Sequence, residues 1–253
     1  MKHPTALWAN LATLANGLVG VGAVLYALAG NELWAMVLIV SGIGFDGLDG
    51  WLHRRSGLPG SAFGRIADSV SDAVTFGIAP ATLLAYHPYH AGLWAPFALG
   101  SIGAAVAVAG LAITRLTWFT LRAYQVPDFV GVPTPQNALG IVVVLLFFDV
   151  PAFLGTQPEA VIGLSIALAV TMVLPIRFPK MRRRHPLRWP MAATGVALVG
   201  GLLPLQFRPS IGSALFDVAL GFCAIGAAGV ATYYVLGPWT VPRATVSPGM
   251  GVP

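Results

Sequence analysis

The sequence predicts an all-α fold, a polytopic helical membrane protein with about eight transmembrane helices. Hydrophobic residues make up 57% of the 253 residues and charged residues only 9%, whereas a soluble domain is usually about a quarter charged. The mean hydropathy is +0.78. Apolar segments of roughly 20 residues, the length a helix needs to cross a bilayer, recur along the chain. These three observations predict an integral membrane protein.

The apolar segments can be placed in chain order. The predicted spans are 6–29, 33–52, 65–85, 91–114, 138–154, 160–176, 189–205 and 211–236. The fifth and sixth are the shortest, so we expect them to tilt differently or to be partly re-entrant. The stretch after Pro238 is rich in Pro, Gly, Val and Thr, and we predict a disordered tail over 239–253.

The basic residues predict the orientation of these spans. Lys and Arg favour cytoplasmic loops, and with the N-terminus inside, all 14 Lys and Arg residues except Arg208 fall on the inner side. Omitting one span would scatter them over both faces. We therefore predict a multi-pass protein of the cytoplasmic (inner) membrane.

The second and third spans carry four of the nine acidic residues, as Asp46-x-x-Asp49 and Asp68-x-x-x-Asp72. Spacings of three and four place each pair on one helix face. Residues 56–61 predict a turn between two antiparallel helices, which brings the two acidic faces together at their cytoplasmic ends. Carboxylates at the ends of membrane segments are costly and mark functional sites.

Four carboxylates at one helix seam repel each other, and hard divalent cations with oxygen ligands neutralise them. We therefore predict two divalent metal ions, Mg²⁺ or Mn²⁺, the usual arrangement for displacement at phosphorus. A divalent-cation transporter is the alternative from another class. It is disfavoured because a transport path needs polar residues at mid-membrane depth, whereas the aspartates cluster near one edge.

Other function classes find less support in the composition. The net charge of +5 does not predict a nucleic-acid partner, because the basic residues border the spans and no nucleic-acid motif accompanies them. Topology and contact with anionic lipids explain them better. The single cysteine, Cys223, lies inside the last span and excludes an intramolecular disulfide.

The acidic segment resembles the signature of the CDP-alcohol phosphatidyltransferase family, with seven of its eight fixed positions present. They are Asp46, Asp49, Gly50, Arg54, Gly64, Asp68 and Asp72. His53 stands where the family has a small alanine, and the loop from Arg54 to Gly64 has nine residues instead of the commoner eight. The resemblance implies a core of six transmembrane helices over 1–186, followed by two additional helices over 187–238.

Four flanking stretches resemble the bacterial phosphatidylserine synthases of that family. They are residues 10–20, 75–80, 129–135 and 176–180. One departure is Trp118, which stands where serine synthases usually carry a second arginine after the position of Arg115. The remaining chain, beyond about residue 180, resembles nothing that we can name.

The resemblance implies an enzyme that transfers a phosphatidyl group from CDP-diacylglycerol to an alcohol, with L-serine as the first choice, giving phosphatidylserine and CMP. Asp46, Asp49 and Asp68 are then metal ligands, while Asp72 is both a ligand and the base for the incoming hydroxyl. Glycerol 3-phosphate, inositol phosphate and choline remain alternative acceptors. A relative that keeps the metal site without catalysis also remains open, and a homodimer is the predicted assembly.

The resemblance also assigns residues to the substrates. Gly50, Arg54, Gly64, Asn10 and Thr13 are predicted to contact the nucleotide or its diphosphate. Arg115, Arg177 and Lys180 are predicted to hold the acceptor alcohol. Simpler interpretations stay open: helix packing for the two glycines and hydrogen bonds between helices for Asn10 and Thr13, or topological anchoring for the cations.

Overall fold

The computed structural model describes residues 4–56, 62–90, 92, 94–123, 129–149, 157–179, 185–207 and 212–241. These residues form a bundle of helices with one two-residue strand pair, so the all-α prediction is confirmed. The helices are α1 (Pro4–Leu28), α2 (Glu32–Ser56), α3 (Ala62–Asp72), α4 (Ala79–His90), α5 (Trp94–Trp118), α6 (Thr134–Asp149), α7 (Pro158–Thr171), α8 (Arg188–Leu205) and α9 (Ser213–Leu236).

Two of these helices continue through π-helical turns. Ala73–Ile78 joins α3 to α4 without a break, and Phe119–Ala123 extends α5. A short 3₁₀ turn, Gly237–Thr240, follows α9. The continuous run from α3 to α4 covers the predicted third span, which explains why one span in the sequence becomes two helices in the structure.

Within the described ranges, four helical stretches are long and apolar enough to cross a bilayer: Leu7–Leu28, Glu32–Ser56, Phe97–Leu121 and Ser213–Thr240. Three shorter apolar helices, Thr134–Phe147, Pro158–Thr171 and Trp189–Leu205, overlap the predicted fifth, sixth and seventh spans. The structure therefore supports a helical membrane protein, and the number of eight crossings stays a prediction.

Three helices converge around Thr75, one turn beyond Asp72. A Cβ atom on Gly20 of α1, or on Gly42 of α2, would overlap the side chain of Thr75. Small residues allow such close approach between membrane helices. Because the backbones meet here, the position of α1 and α2 relative to Asp72 is fixed within narrow limits.

The last two helices form a hairpin that packs on the other helices. α8 lies against α2, and α9 lies against α6. Gly201 and Gly226 bring α8 and α9 together, since a Cβ on Gly201 would stand 2.7 Å from the carbonyl oxygen of Ala219. The division into a core over 1–186 and two added helices remains a proposal. Of the predicted tail, residues 242–253 lie outside the described residues.

Two stretches that the sequence singled out separately form one unit. Strand β1 (Phe129–Val130) pairs antiparallel with β2 (Arg177–Phe178), with Phe129 opposite Phe178. Gly131 follows β1 with φ +73°, and its N–H donates to the carbonyl of Ile176 at 2.8 Å. This strand pair joins the segment before α6 to the segment after α7, and so positions the start of α6.

Candidate active site

The four aspartates meet where the end of α2 faces α3. One oxygen each from Asp46, Asp68 and Asp72 lies within 4.8 Å of the others. Asp49 lies beside this group: its carboxylate is buried, adjoins that of Asp68, and accepts a hydrogen bond from Thr13 Oγ1 at 2.6 Å. We call these four residues the aspartate cluster. The structure thus brings both acidic helix faces together.

Helix α1 supplies donors to the aspartate cluster. Besides the bond from Thr13, the amide Nδ2 of Asn16 donates to Asp72 Oδ1 at 2.9 Å. Asn16 is fully buried, and its backbone carbonyl accepts from Thr75 Oγ1 at 2.7 Å. Thr75 lies in the π-helical turn that follows Asp72, and such turns are frequent at functional sites. Asn16 therefore ties Asp72 to both α1 and the π turn.

The carboxylate oxygens of the aspartate cluster are suitable ligands for divalent cations. Carboxylate oxygens are the ligands that Mg²⁺ and Mn²⁺ prefer. The charges of Arg54 and Arg115 interact with those of Asp46 and Asp72. Four carboxylates this close still repel one another, and a bound divalent cation would relieve that repulsion. Asp46, Asp68 and Asp72 could share one cation, with Asp49 adjacent.

The residues predicted to contact the nucleotide lie around the aspartate cluster in different environments. The guanidinium of Arg54 lies over Gly50, since a Cβ there would stand 3.2 Å from Arg54 Nη1. On the same stretch of α2, a Cβ on Gly47 would meet no described atom within 4 Å. Gly64 is half-buried near the start of α3, and Asn10 is exposed on α1. Nucleotide contact by these residues stays a prediction.

Among the predicted acceptor cations that the structure describes, Arg115 lies close to the aspartate cluster. It is 6% exposed, and its charge interacts with that of Asp72. Its Nη1 donates to Thr134 Oγ1 at 2.9 Å, and its guanidinium lies 5.5 Å from the ring centre of Phe129. A buried arginine is thus held in place by the first turn of α6 and by strand β1.

The structure says less about the other two predicted acceptor-binding residues, Arg177 and Lys180. Arg177 is exposed on β2 opposite Val130. Its strand neighbour Phe178 is buried, and since successive strand residues point to opposite faces, Arg177 faces away from the side where Phe129 and Phe178 pair. Lys180 lies outside the described residues. A role for either in acceptor binding stays a prediction.

Sequence reasoning missed three residues around Arg115. Thr134 and Asn137 lie in the first turn of α6, are fully buried, and share one helix face. We call Arg115, Thr134 and Asn137 the Arg115 pocket. Tyr233 of α9 packs in one cluster with Val132 and Phe178, and its ring stacks on Phe178 with ring centres 5.5 Å apart. The signal for the α6 pair was present: two polar residues three apart at the start of an apolar span.

The opposite end of α2 is separate from this site. His87 at the end of α4 pairs with Glu32 at the start of α2, with Nδ1 and Oε2 3.0 Å apart. Glu32 is at the opposite end of α2 from Asp49. His87 therefore lies away from the aspartate cluster.

Comparisons with known proteins give a consistent result. The sequence profile of one family, described as CDP-alcohol phosphatidyltransferase, matches residues 6–176. A CDP-diacylglycerol–serine O-phosphatidyltransferase from Helicobacter pylori is 31% identical over 186 residues, 72% of this chain and 75% of the relative. An archaetidylserine synthase from Methanothermobacter thermautotrophicus is 30% identical over 173 residues, 68% and 69% of the two chains. A CDP-diacylglycerol–serine O-phosphatidyltransferase from Bacillus subtilis is 30% identical over 173 residues, 68% and 89%.

Proposed function

This chain belongs to the CDP-alcohol phosphatidyltransferase family, and from that premise we propose that it transfers a phosphatidyl group from CDP-diacylglycerol to L-serine, giving phosphatidylserine and CMP. The observation that carries the proposal is the meeting of Asp46, Asp68 and Asp72, whose oxygens lie within 4.8 Å of one another, next to a buried arginine. An acidic centre beside a fixed cation suits a diphosphate donor and an acceptor that carries a carboxylate.

Asp46, Asp49 and Asp68 serve as metal ligands, and Asp72 serves as both a ligand and a base. Two divalent cations, Mg²⁺ or Mn²⁺, supply charge neutralisation and polarisation of phosphoryl oxygens when bound. The hydrogen bond from Thr13 holds Asp49, and that from Asn16 holds Asp72. Ligands oriented in this way by outer partners keep their geometry during the reaction.

Asp72 takes the proton of the acceptor hydroxyl. Asn16 occupies Asp72 Oδ1, so Oδ2 is the oxygen without a hydrogen bond among the described residues. As the proton moves to Asp72, the hydroxyl oxygen bonds to the phosphorus that carries the lipid. The bond from that phosphorus to the bridging oxygen breaks, CMP leaves with this oxygen, and Asp72 later releases the proton to water.

The nucleotide side of the site is assigned to α2, α3 and α1. Arg54 binds the diphosphate with its planar fork, and Gly50 and Gly64 allow close backbone approach to the nucleotide. Asn10 and Thr13 lie on the α1 face that borders this region and contact the cytidine. The open space beside Gly47 supports this placement on α2.

Serine is the proposed acceptor because the relatives from H. pylori, B. subtilis and M. thermautotrophicus are all named for serine. Arg115 pairs with the serine carboxylate, with Arg177 and Lys180 as further cations at the entrance. Serine needs one cation for its carboxylate, whereas a dianionic acceptor such as glycerol 3-phosphate or inositol phosphate needs several around its phosphate.

The distribution of the basic residues supports a site on the cytoplasmic side of the inner membrane. We propose a homodimer as the assembly and residues 1–186 as the catalytic core. The two later helices pack on that core through α2 and α6.

The test is CMP release from CDP-diacylglycerol by the purified full chain in detergent. Serine, glycerol 3-phosphate, inositol phosphate, choline and no acceptor are compared with Mg²⁺ or Mn²⁺, and after chelation with EDTA. We expect release that requires serine and a divalent cation, with phosphatidylserine as the lipid product. Release that requires one of the other alcohols would overturn serine and leave the reaction class intact.

A further inference from the structure

The Arg115 pocket contains buried polar atoms that the protein leaves without partners. Both side-chain atoms of Asn137, Nδ2 and Oδ1, lack a hydrogen-bond partner among the described residues, and so does Arg115 Nε. Asn137 is 0% exposed and Arg115 is 6% exposed. Buried polar groups are nearly always satisfied in native proteins, so a group of unsatisfied atoms in one place requires an explanation.

Helical spacing places Asn137 beside the residue that Arg115 bonds. Arg115 is bonded to Thr134, and Asn137 follows Thr134 by three residues on the same face of α6. Side chains at this spacing have Cβ atoms about 5–6 Å apart on a helix. Asn137 therefore lies next to Thr134, whose Oγ1 accepts the hydrogen bond from Arg115. The charge of Arg115 in turn interacts with that of Asp72.

The atoms without partners comprise two hydrogen-bond donors and one acceptor. Arg115 Nε and one end of the Asn137 amide are donors, and the other end of that amide is an acceptor. Since both ends of the amide are unpartnered, this holds whichever way the amide is oriented. A ligand that fits must accept two hydrogen bonds and donate at least one within a small volume. An α-amino acid does this, because its carboxylate accepts and its ammonium donates.

We propose that Asn137 is an acceptor-binding residue that selects a zwitterionic amino acid. Its Oδ1 accepts from the substrate ammonium, and its Nδ2 donates to the substrate carboxylate together with Nε of Arg115. The inference rests on the proposed function, because it identifies how the acceptor of that reaction is recognised. It adds a residue that provides a partner for the ammonium, which no cation at the site can do.

The experiment uses acceptors that lack one of the two charged groups. Ethanolamine lacks the carboxylate of serine, and 3-hydroxypropionate lacks the ammonium. With the full-length protein, kcat and KM for serine and kcat/KM for both analogues are measured by CMP release. The wild type, Asn137→Leu and Asn137→Asp are compared. Gln206→Leu is the matched control, because Gln206 Nε2 is also buried without a described partner but follows α8 at the end of the bundle opposite Arg188.

We expect Asn137→Leu to raise the KM for serine by about tenfold or more, the loss typical of hydrogen bonds to a charged group. The preference for serine over 3-hydroxypropionate should fall by a similar factor, which a purely structural defect would not produce. Asn137→Asp is the same size and keeps an acceptor for the ammonium, so it should shift the preference toward ethanolamine. Gln206→Leu should leave all three ratios unchanged.

Failure of the inference about Asn137 can be distinguished from failure of the proposed function. If the wild type uses serine but Asn137→Leu and Asn137→Asp keep both preference ratios, the pocket holds only water and the inference is overturned while the proposed function stands. If the wild type releases CMP only with glycerol 3-phosphate or inositol phosphate, both the serine acceptor and the zwitterion pocket are overturned together.

Discussion

The aspartate cluster and the Arg115 pocket are neighbours, since the charges of Asp72 and Arg115 interact, but they differ in how their polar atoms are satisfied. In the aspartate cluster, Thr13 and Asn16 donate hydrogen bonds to two carboxylates, and what is lacking is positive charge. In the Arg115 pocket the charge is present, and what is lacking is hydrogen-bond partners for Arg115 and Asn137.

This difference indicates two kinds of ligand. An excess of carboxylate oxygens calls for inorganic cations, which bring charge and accept oxygen ligands from several directions. Unmatched donors and an acceptor call for an organic molecule with groups of both kinds. Variants of the aspartate cluster should therefore change the metal requirement and turnover for every acceptor, whereas variants of the Arg115 pocket should change the choice of acceptor.

The largest effect is expected from Asp68→Asn. It removes a charge from the group of three carboxylates, and loss of a direct ligand should exceed the roughly 10- to 100-fold loss typical of outer partners. CMP release at saturating serine should fall by more than about 100-fold, with a higher Mn²⁺ requirement. Asp217→Asn is the matched control, because Asp217 is exposed on α9. Equal losses in both variants would show that the effect is not specific to the cluster.

A smaller effect is expected from Asn16→Leu. This change removes the donor to Asp72 without touching a carboxylate, so activity or metal affinity should fall by about 10- to 100-fold. The loss should be the same for every acceptor. Ser41→Ala is the control, since among the described residues the Ser41 hydroxyl donates to the carbonyl of Val37 in its own helix at 2.8 Å. A change in acceptor preference in Asn16→Leu would break the distinction between the two regions.

Arg115→Lys tests the other region. Lysine keeps the positive charge but loses the planar fork, so the KM for serine should rise by about tenfold, in line with the loss of a hydrogen bond to a charged group. The Mn²⁺ requirement should stay as in the wild type. Arg55→Lys is the control, because Arg55 is exposed and lies over Trp51 at 5.2 Å. A changed metal requirement in Arg115→Lys would contradict the separation.

The smallest effect on the chemistry is expected from Gly131→Ala. Gly131 has φ +73°, and a Cβ there would overlap the carbonyl oxygen of Met172. A non-glycine residue in such a conformation is strained by about 1–3 kcal/mol, so thermal unfolding in detergent should shift to lower temperature. The KM for serine should rise only modestly. Gly163→Ala, on α7 with open space around it, should not lower the unfolding temperature.

The aspartate cluster was predictable from the sequence because its information is local. Spacings of three and four residues fix which side chains share a helix face, and acidic residues stand out in an apolar chain. Asn16 was visible as a polar residue in the first span, but its bond to Asp72 depends on the close approach of α1 through Gly20, which the spacing does not encode.

The Arg115 pocket was only partly predictable because it is assembled from distant segments. Arg115 of α5 and Thr134 of α6 come from different helices, and nothing in their local patterns reveals that they meet. The same holds for strand pairing: residues 129–135 and 176–180 were identified as two motifs, and their antiparallel ladder emerges only from the packing of α6 and α7. The π-helical turn after Asp72 likewise leaves no periodic pattern that would distinguish it from an α-helix.

The most direct test of the central claim compares CMP release by the wild type and by Asp72→Asn at saturating CDP-diacylglycerol, serine and Mn²⁺. The substitution keeps Oδ1 as the acceptor for Asn16 and removes the carboxylate that takes the proton. We predict serine-dependent release by the wild type and a loss of about 100-fold or more in Asp72→Asn, the range of general-base catalysis. Release by Asp72→Asn at the wild-type rate, or wild-type release that does not depend on an acceptor, would contradict the account.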